Sequence, residues 1–226
     1  MARAEPGASG ASPARPRHTP RMRKGDRRRH EILNAAEEQL RDRPAIELTI
    51  DGLAESVGAS RSSLYFYFDS KWAVVDALVD RASAEMYEEF LALPGDAPFE
   101  DFLAGVMQAT YAGWRRHRVV FLAAAERSSH ADESTDRWRG IMQRFVDFIG
   151  DRLEVELTLD PTVDPAPLGG SRQAAEICCW MVERSFYMLF SREHTEEEEH
   201  ALLAALTAAL ERLLHPDSVG RRPRSS

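Results

Sequence analysis

Thr49, Ser60, Arg61, Ser62, Ser63, Tyr65, Tyr67 and Lys71 crowd hydroxyls, phenols and cations into one short stretch of the chain. Their chemistry is hydrogen bonding and charge pairing. An arginine such as Arg61 bonds bidentately to guanine, and serines bond bases or phosphates. The two tyrosines offer apolar bodies with phenolic tips, suited to methyl groups, sugars or phosphates. The target such a set fits is double-stranded DNA.

These side chains need helices to present them. Thr49 is a natural N-cap, because its hydroxyl can accept a backbone N–H that the first turn leaves unpaired. Ile50, Leu53, Ala54 and Val57 follow at helical spacing. Gly58 suits a left-handed helix stop, and Ser60 can cap a second short helix over Arg61–Phe68, with Leu64 and Phe68 turned inward. Two short helices joined by so tight a turn make a helix-turn-helix, whose second helix enters the major groove. Lys71 falls in the first turn of the next helix, where N-terminal N–H groups attract phosphate, and Thr49 has the same position before its own helix.

The register T-I-x-x-L-A-x-x-V-G-x-S-x-x-x-L-Y-x-Y-F-x-S-K over Thr49–Lys71 resembles the signature of TetR-family transcriptional regulators. The resemblance is strong over residues 27–75. It implies an all-α fold: an N-terminal three-helix DNA-binding domain and a C-terminal helical domain that dimerises and holds a small-molecule pocket. It also implies phosphate contacts at Tyr67 and Lys71.

Charge distribution agrees with a DNA partner. The chain carries −8 overall, yet residues 1–30 hold nine basic side chains against two acidic ones, so the remainder carries −15. A basic arm on an acidic body fits a polyanion at one end only. Arg21 to Arg29, beside the motif, are the expected contacts. The reading divides the chain into a disordered basic arm (1–25), a helix-turn-helix domain (26–71), a ligand-binding and dimerisation domain (72–215) and a disordered tail (216–226). No membrane span and no secretory signal are found, and Cys178 and Cys179 are adjacent in an apolar run, so the expected location is a reducing cytoplasm.

Helical spacing predicts a first helix over 27–41, a long helix from Ser70 to Leu93, and a helix over 99–116 with a shorter one from His117. Further helices are predicted over 132–157, 171–191 and, after a Thr195 cap, 196 onward. Phe102, Tyr111, Trp114, Trp138, Met142, Phe145, Trp180, Glu183, Phe186 and Tyr187 supply aromatic and flexible groups suited to an apolar pocket. W-x-x-x-M-Q-x-F at Trp138–Phe145, M-x-E-R at Met181–Arg184 and Ser63–Phe68 are similar to mycobacterial EthR-type repressors within the same family. By that likeness an elongated hydrophobic molecule would be lined by Phe102, Val106, Ala109, Trp138, Met142, Phe145, Cys179, Val182, Glu183 and Phe186. Large aromatic and asparagine positions of those relatives are here Ala109, Cys179 and Val182, which implies a locally wider, less polar pocket. Glu183 is expected to pair with Arg184 or Arg127, or to orient a polar ligand group.

The histidines are scattered without ligand spacing, and there is no phosphate loop or nucleophile elbow. The reading is therefore not an enzyme, with no cofactor and no metal. It is a homodimeric repressor of an inverted-repeat operator, released by an apolar ligand. An activator or ligand-independent repressor of the same fold, and a small-molecule-binding protein without a DNA role, are the alternatives. The last two long helices are expected to form the dimer interface, with Leu206, Leu210 and Leu213 on its apolar stripe.

Overall fold

The computed structural model of the protein describes residues 23–128, 132–160 and 163–214. Residues 1–22 of the expected arm and the expected 216–226 tail lie outside them. Among the described residues there are eight α-helices, two short 3-10 turns and no strand. The helices are α1 (Lys24–Asp42), α2 (Ile50–Ser56), α3 (Arg61–Tyr65), α4 (Lys71–Leu91), α5 (Phe99–Ser128), α6 (Asp132–Leu159), α7 (Ser171–Phe190) and α8 (Glu196–Leu214).

Local chemistry sets most of these boundaries. Thr49 Oγ1 accepts from Gly52 N at 3.0 Å, Ser60 Oγ from Ser63 N at 3.2 Å, and Ser70 Oγ from Ala73 N at 3.1 Å, so hydroxyl caps open α2, α3 and α4 in turn. Thr195 and Glu198 form a reciprocal capping box at α8, with bonds of 3.2 and 2.9 Å. Between α2 and α3, Ala59 N bonds Ala54 O at 2.8 Å and Gly58 N bonds Glu55 O at 3.1 Å. This paired closure needs a left-handed residue, and Gly58 supplies it with φ +61°. Two boundaries differ from expectation. Helix α1 starts at Lys24, inside the span assigned to a disordered arm, with Asp26 in its favourable first turn. Helix α3 ends at Tyr65, and Phe66 is its C-cap.

Leu33, Leu53 and Leu64 join the first three helices at exposures of 1% or less. The same buried cluster continues through Val75 and Leu78 of α4 into Met107, Leu153, Phe186 and Leu214. Helix α4 packs on both α1 and α5, while α6 lies along α7. Arg81 of α4 bonds Asn34 and Glu37 of α1 at 2.7 and 2.5 Å. Arg127 of α5 grips Asp76 of α4 with two bonds of 3.0 and 3.3 Å, so it is not the partner of Glu183.

The break anticipated near His117 is a kink within α5, where His117 has φ −111° and ψ 20°. The ring is buried, with Nε2 3.2 Å from Glu85 on α4 and Nδ1 3.9 Å from Glu37 on α1. Burial lowers its pKa, and the two glutamates only partly offset this. The folded chain therefore resists protonating His117, whereas the unfolded chain protonates it near pH 6.5. Below that value the unfolded state binds more protons, so stability falls as pH drops through the window between the unfolded pKa and the lowered folded one. Melting temperature should decline over this range, and less steeply in His117→Gln. Parallel melting profiles for parent and variant would remove His117 as the titrating group.

Candidate nucleic-acid interface and ligand cavity

The expected DNA-contacting residues lie on α3 and at the starts of α2 and α4 or beside them. Arg61, Ser62 and Tyr65 are exposed on α3, while Leu64 and Phe68 turn inward. Arg61 is held by Asp51 of α2 at 2.8 Å and by the Tyr65 hydroxyl at 3.3 Å. Ser60 and Ser62 share a hydrogen bond of 3.0 Å. Thr49 is exposed, with its hydroxyl engaged as the α2 cap. Lys71 folds back, donating to the Ile46 carbonyl and lying 4.9 Å from the Trp72 ring centre.

Two features escaped sequence reasoning. Phe66 is 83% exposed at the end of α3, edge-on to Tyr67 at 5.2 Å. An apolar residue inside a hydrophobic run looks like core until the turn that swings it outward is known. The second feature is a polar groove lined by Lys24, Gly25, Arg27, Arg28 and Glu31 of α1 together with Ser63 and Tyr67. The basic cluster was legible, but its apposition to α3 is tertiary. Arg28 spans this junction, bonding Glu31 at 2.7 Å and the Gly58 carbonyl at 3.5 Å.

Deeper in the molecule, a narrow cavity of about 70 Å³ runs between α4, α5, α6, α7 and α8. Phe102, Val106, Trp114, Trp138, Met142, Phe145, Cys179, Val182 and Glu183 of the expected set lie on its wall. Ala109 and Phe186 do not, and both are buried elsewhere; Tyr111, Trp180 and Tyr187 are also off the wall. Phe186 is fully buried against Tyr111, Trp114 and Phe190, with ring centres 6.1–6.4 Å apart. The wall also takes Ser83, Met86 and Phe90 from α4, and Leu210 and Leu214 from α8. The stripe on α4 had the spacing of ordinary core, which hid this second role.

Glu183 is 9% exposed, and its Oε2 has no hydrogen-bond partner. Burial pushes its pKa up, partly countered by Arg184, whose Nε stands 3.8 Å away, and by the Trp138 indole. Ser83 Oγ is likewise buried without a partner. Each such group costs on the order of 1–3 kcal/mol unless a water or ligand satisfies it. Burial also raises the Cys178 and Cys179 thiols to about 11 and about 12, so neither is a thiolate at neutral pH.

The capped helices, the left-handed turn glycine and the polar face of α3 define a helix-turn-helix DNA-binding regulator. Residues 32–78 match the family model described as bacterial regulatory proteins, tetR family. The chain is 31% identical over 202 residues to the HTH-type transcriptional regulator EthR of Mycobacterium tuberculosis, covering 88% of this chain and 92% of EthR. Against EthR of Mycolicibacterium smegmatis it is 31% identical over 137 residues, 57% of this chain and 62% of that one. The protein thus belongs to the TetR family of bacterial transcriptional regulators. Its fold is also that of a TetR-family regulator from Streptomyces coelicolor (TM-score 0.63, 22% identity, 88% of this chain and 91% of that one). GusR of Salmonella enterica is similar in the same way (TM-score 0.68, 15% identity, 85% and 98% covered).

The structure corrects the expected dimer stripe. Leu206 and Leu210 are 7% and 3% exposed within a single protomer. They close the protein's own core, and Leu210 lines the cavity. Large apolar side chains that do face outward include Ile177 (39% exposed) and Met188 (59%) on α7, and Val155, Leu157 and Leu159 on α6.

Proposed function

We propose that the protein is a repressor that grips an inverted-repeat operator as a homodimer and leaves it when an elongated apolar molecule enters the cavity. The observation that carries this reading is the double duty of α4. Its N-terminus follows directly on the reading head and its Arg81 is tied to α1, while Ser83, Met86 and Phe90 further along form cavity wall. A molecule that widens the cavity pushes on the helix that aims α3. Two recognition helices must meet half-sites about 34–36 Å apart, so a small tilt disfavours DNA. Release requires that the ligand prefer the tilted state, because equal affinity for both states shifts nothing.

In this reading residues 26–71 are the DNA-binding domain and 72–215 the ligand-binding and dimerisation domain. The dimer is built on α7 and α8, with Ile177, Trp180, Met181, Arg184 and Met188 spaced along one face of α7. No described helix is long and apolar enough to cross a membrane, which suits work on DNA in the cytoplasm. The names of the EthR relatives support a regulatory rather than catalytic role.

Gel-shift titration against fragments of the source genome tests the proposal. Tight, saturable binding to an inverted repeat supports it, and binding no tighter than to random DNA rejects it. Lys24→Ala with Arg28→Ala should weaken all sequences about equally. Each lost phosphate contact should also flatten the log–log salt slope by about 0.9. An unchanged slope would show that the groove beside Ser63 and Tyr67 touches no phosphate.

A further inference from the structure

The cavity wall is apolar, with two exceptions that the protein leaves unsatisfied. Glu183 Oε2 on α7 and Ser83 Oγ on α4 are buried, lack hydrogen-bond partners and belong to wall residues. The Thr110 hydroxyl, also on the wall, is already spent on the Val106 carbonyl at 2.8 Å. Of the described residues that line the cavity, Glu183 is the only one with a formal charge. Its neighbour Arg184 does not neutralise it well: Nε is 3.8 Å away and the side chain is 62% exposed. That distance is too long for a hydrogen bond, and water screens the charge.

These facts restrict the head group of any occupant. Burial alone disfavours the charged form of Glu183, and a cation beside Oε2 offsets that cost; the ionised carboxylate only accepts hydrogen bonds, so the group that meets it must donate. An anionic head, such as a fatty acid's, would face a like charge with no cation on the wall. A protonated amine brings donors and the opposite charge together, and charge-assisted bonds are shorter and stronger than neutral ones. Ser83 Oγ is a further acceptor in the same cavity, on the helix that leads back to the reading head.

We infer that the cavity selects an elongated apolar molecule bearing one protonated amine, whose nitrogen donates to Glu183 Oε2. The inference rests on the proposed role of the cavity as the ligand site and adds the chemical class of the ligand. The alkyl portion lies among Met86, Phe90, Phe102 and Phe145, which offer it nothing but apolar contact.

Dodecylamine, dodecanol and dodecanoate provide the test, each titrated below its micelle concentration near neutral pH. Quenching of the wall tryptophans Trp114 and Trp138 is the signal. The amine should bind at least about ten-fold more tightly than the alcohol, the difference expected of a charge-assisted over a neutral bond, with the carboxylate weakest. Glu183→Gln should erase the amine's advantage over dodecanol, since the amide keeps the shape and loses the charge. Alcohol or carboxylate binding the parent as tightly as the amine would overturn the inference, and that comparison needs no variant. Glu183→Gln with the amine preference intact would overturn it too. Operator binding without any alkyl chain keeps the two readings apart. Protein that shifts operator DNA but shows no amine preference loses only the ligand class, and protein that prefers the amine but ignores DNA loses only the repressor reading.

Discussion

Arg61→Ala should cost operator affinity about 1–3 kcal/mol, roughly 5- to 150-fold, and should flatten the preference at one base pair of each half-site. Arg61 is exposed on α3, but in the free protein its guanidinium is held by Asp51 and Tyr65. The Asp51 pair is more than half exposed on both sides. Pairs of that kind contribute about 0–1 kcal/mol, so releasing Arg61 to a guanine edge is inexpensive. Asp51→Ala should therefore leave operator affinity unchanged or raise it, because it frees Arg61 and removes a negative charge beside DNA. Gel-shift titrations over a panel of single-base operator variants measure both effects. Arg61→Ala binding as tightly and as selectively as the parent would remove Arg61 from base reading.

The second large effect concerns α8. Leu206→Glu combined with Leu210→Glu should leave no stable folded protein. Removing a buried leucine side chain costs about 2–5 kcal/mol, and burying an unpaired carboxylate costs more. Two such changes exceed the roughly 5–15 kcal/mol that holds a typical domain together. By contrast, Ile177→Glu with Met188→Glu places charges where water already reaches, at 39% and 59% exposure, and should yield folded monomers. Circular dichroism with light scattering separates the cases. A folded monomer from the Leu206/Leu210 pair would place those leucines outside the core, and an intact dimer from the Ile177/Met188 pair would move the interface off this face of α7.

That contrast shows what the sequence can carry. The caps at Thr49, Ser60, Ser70 and Thr195 were legible because a hydroxyl and the N–H it accepts lie within three residues of each other. Gly58 was legible because few other residues tolerate its backbone. Leu206 and Leu210 marked an apolar face correctly, but periodicity records only that a face is covered. It does not say whether the cover is the same chain or a second copy. Most of the expected wall, from Phe102 to Glu183, meets at one cavity. Phe186, drawn from the same pattern, went to an aromatic stack instead, and Ala109 was buried off the wall. Choosing among equally apolar positions takes the relative rotation of five helices, which no local spacing encodes. The share of α4 in the wall was hidden for the same reason.

The small volume of the cavity sets a clock as well as a preference. That volume of about 70 Å³ is small beside the roughly 300–1,000 Å³ of pockets that hold drug-sized ligands. Most of the space a ligand needs must be made by displacing packed side chains, and Met86, Met107 and Met142 on the wall are unbranched enough to yield. In the proposed release, occupancy then waits on the rearrangement of these side chains. At high ligand concentration the observed rate of response should level off at the rate of that rearrangement instead of climbing with concentration. A cell that relied on the proposed release would ignore a brief pulse of ligand and answer a sustained one.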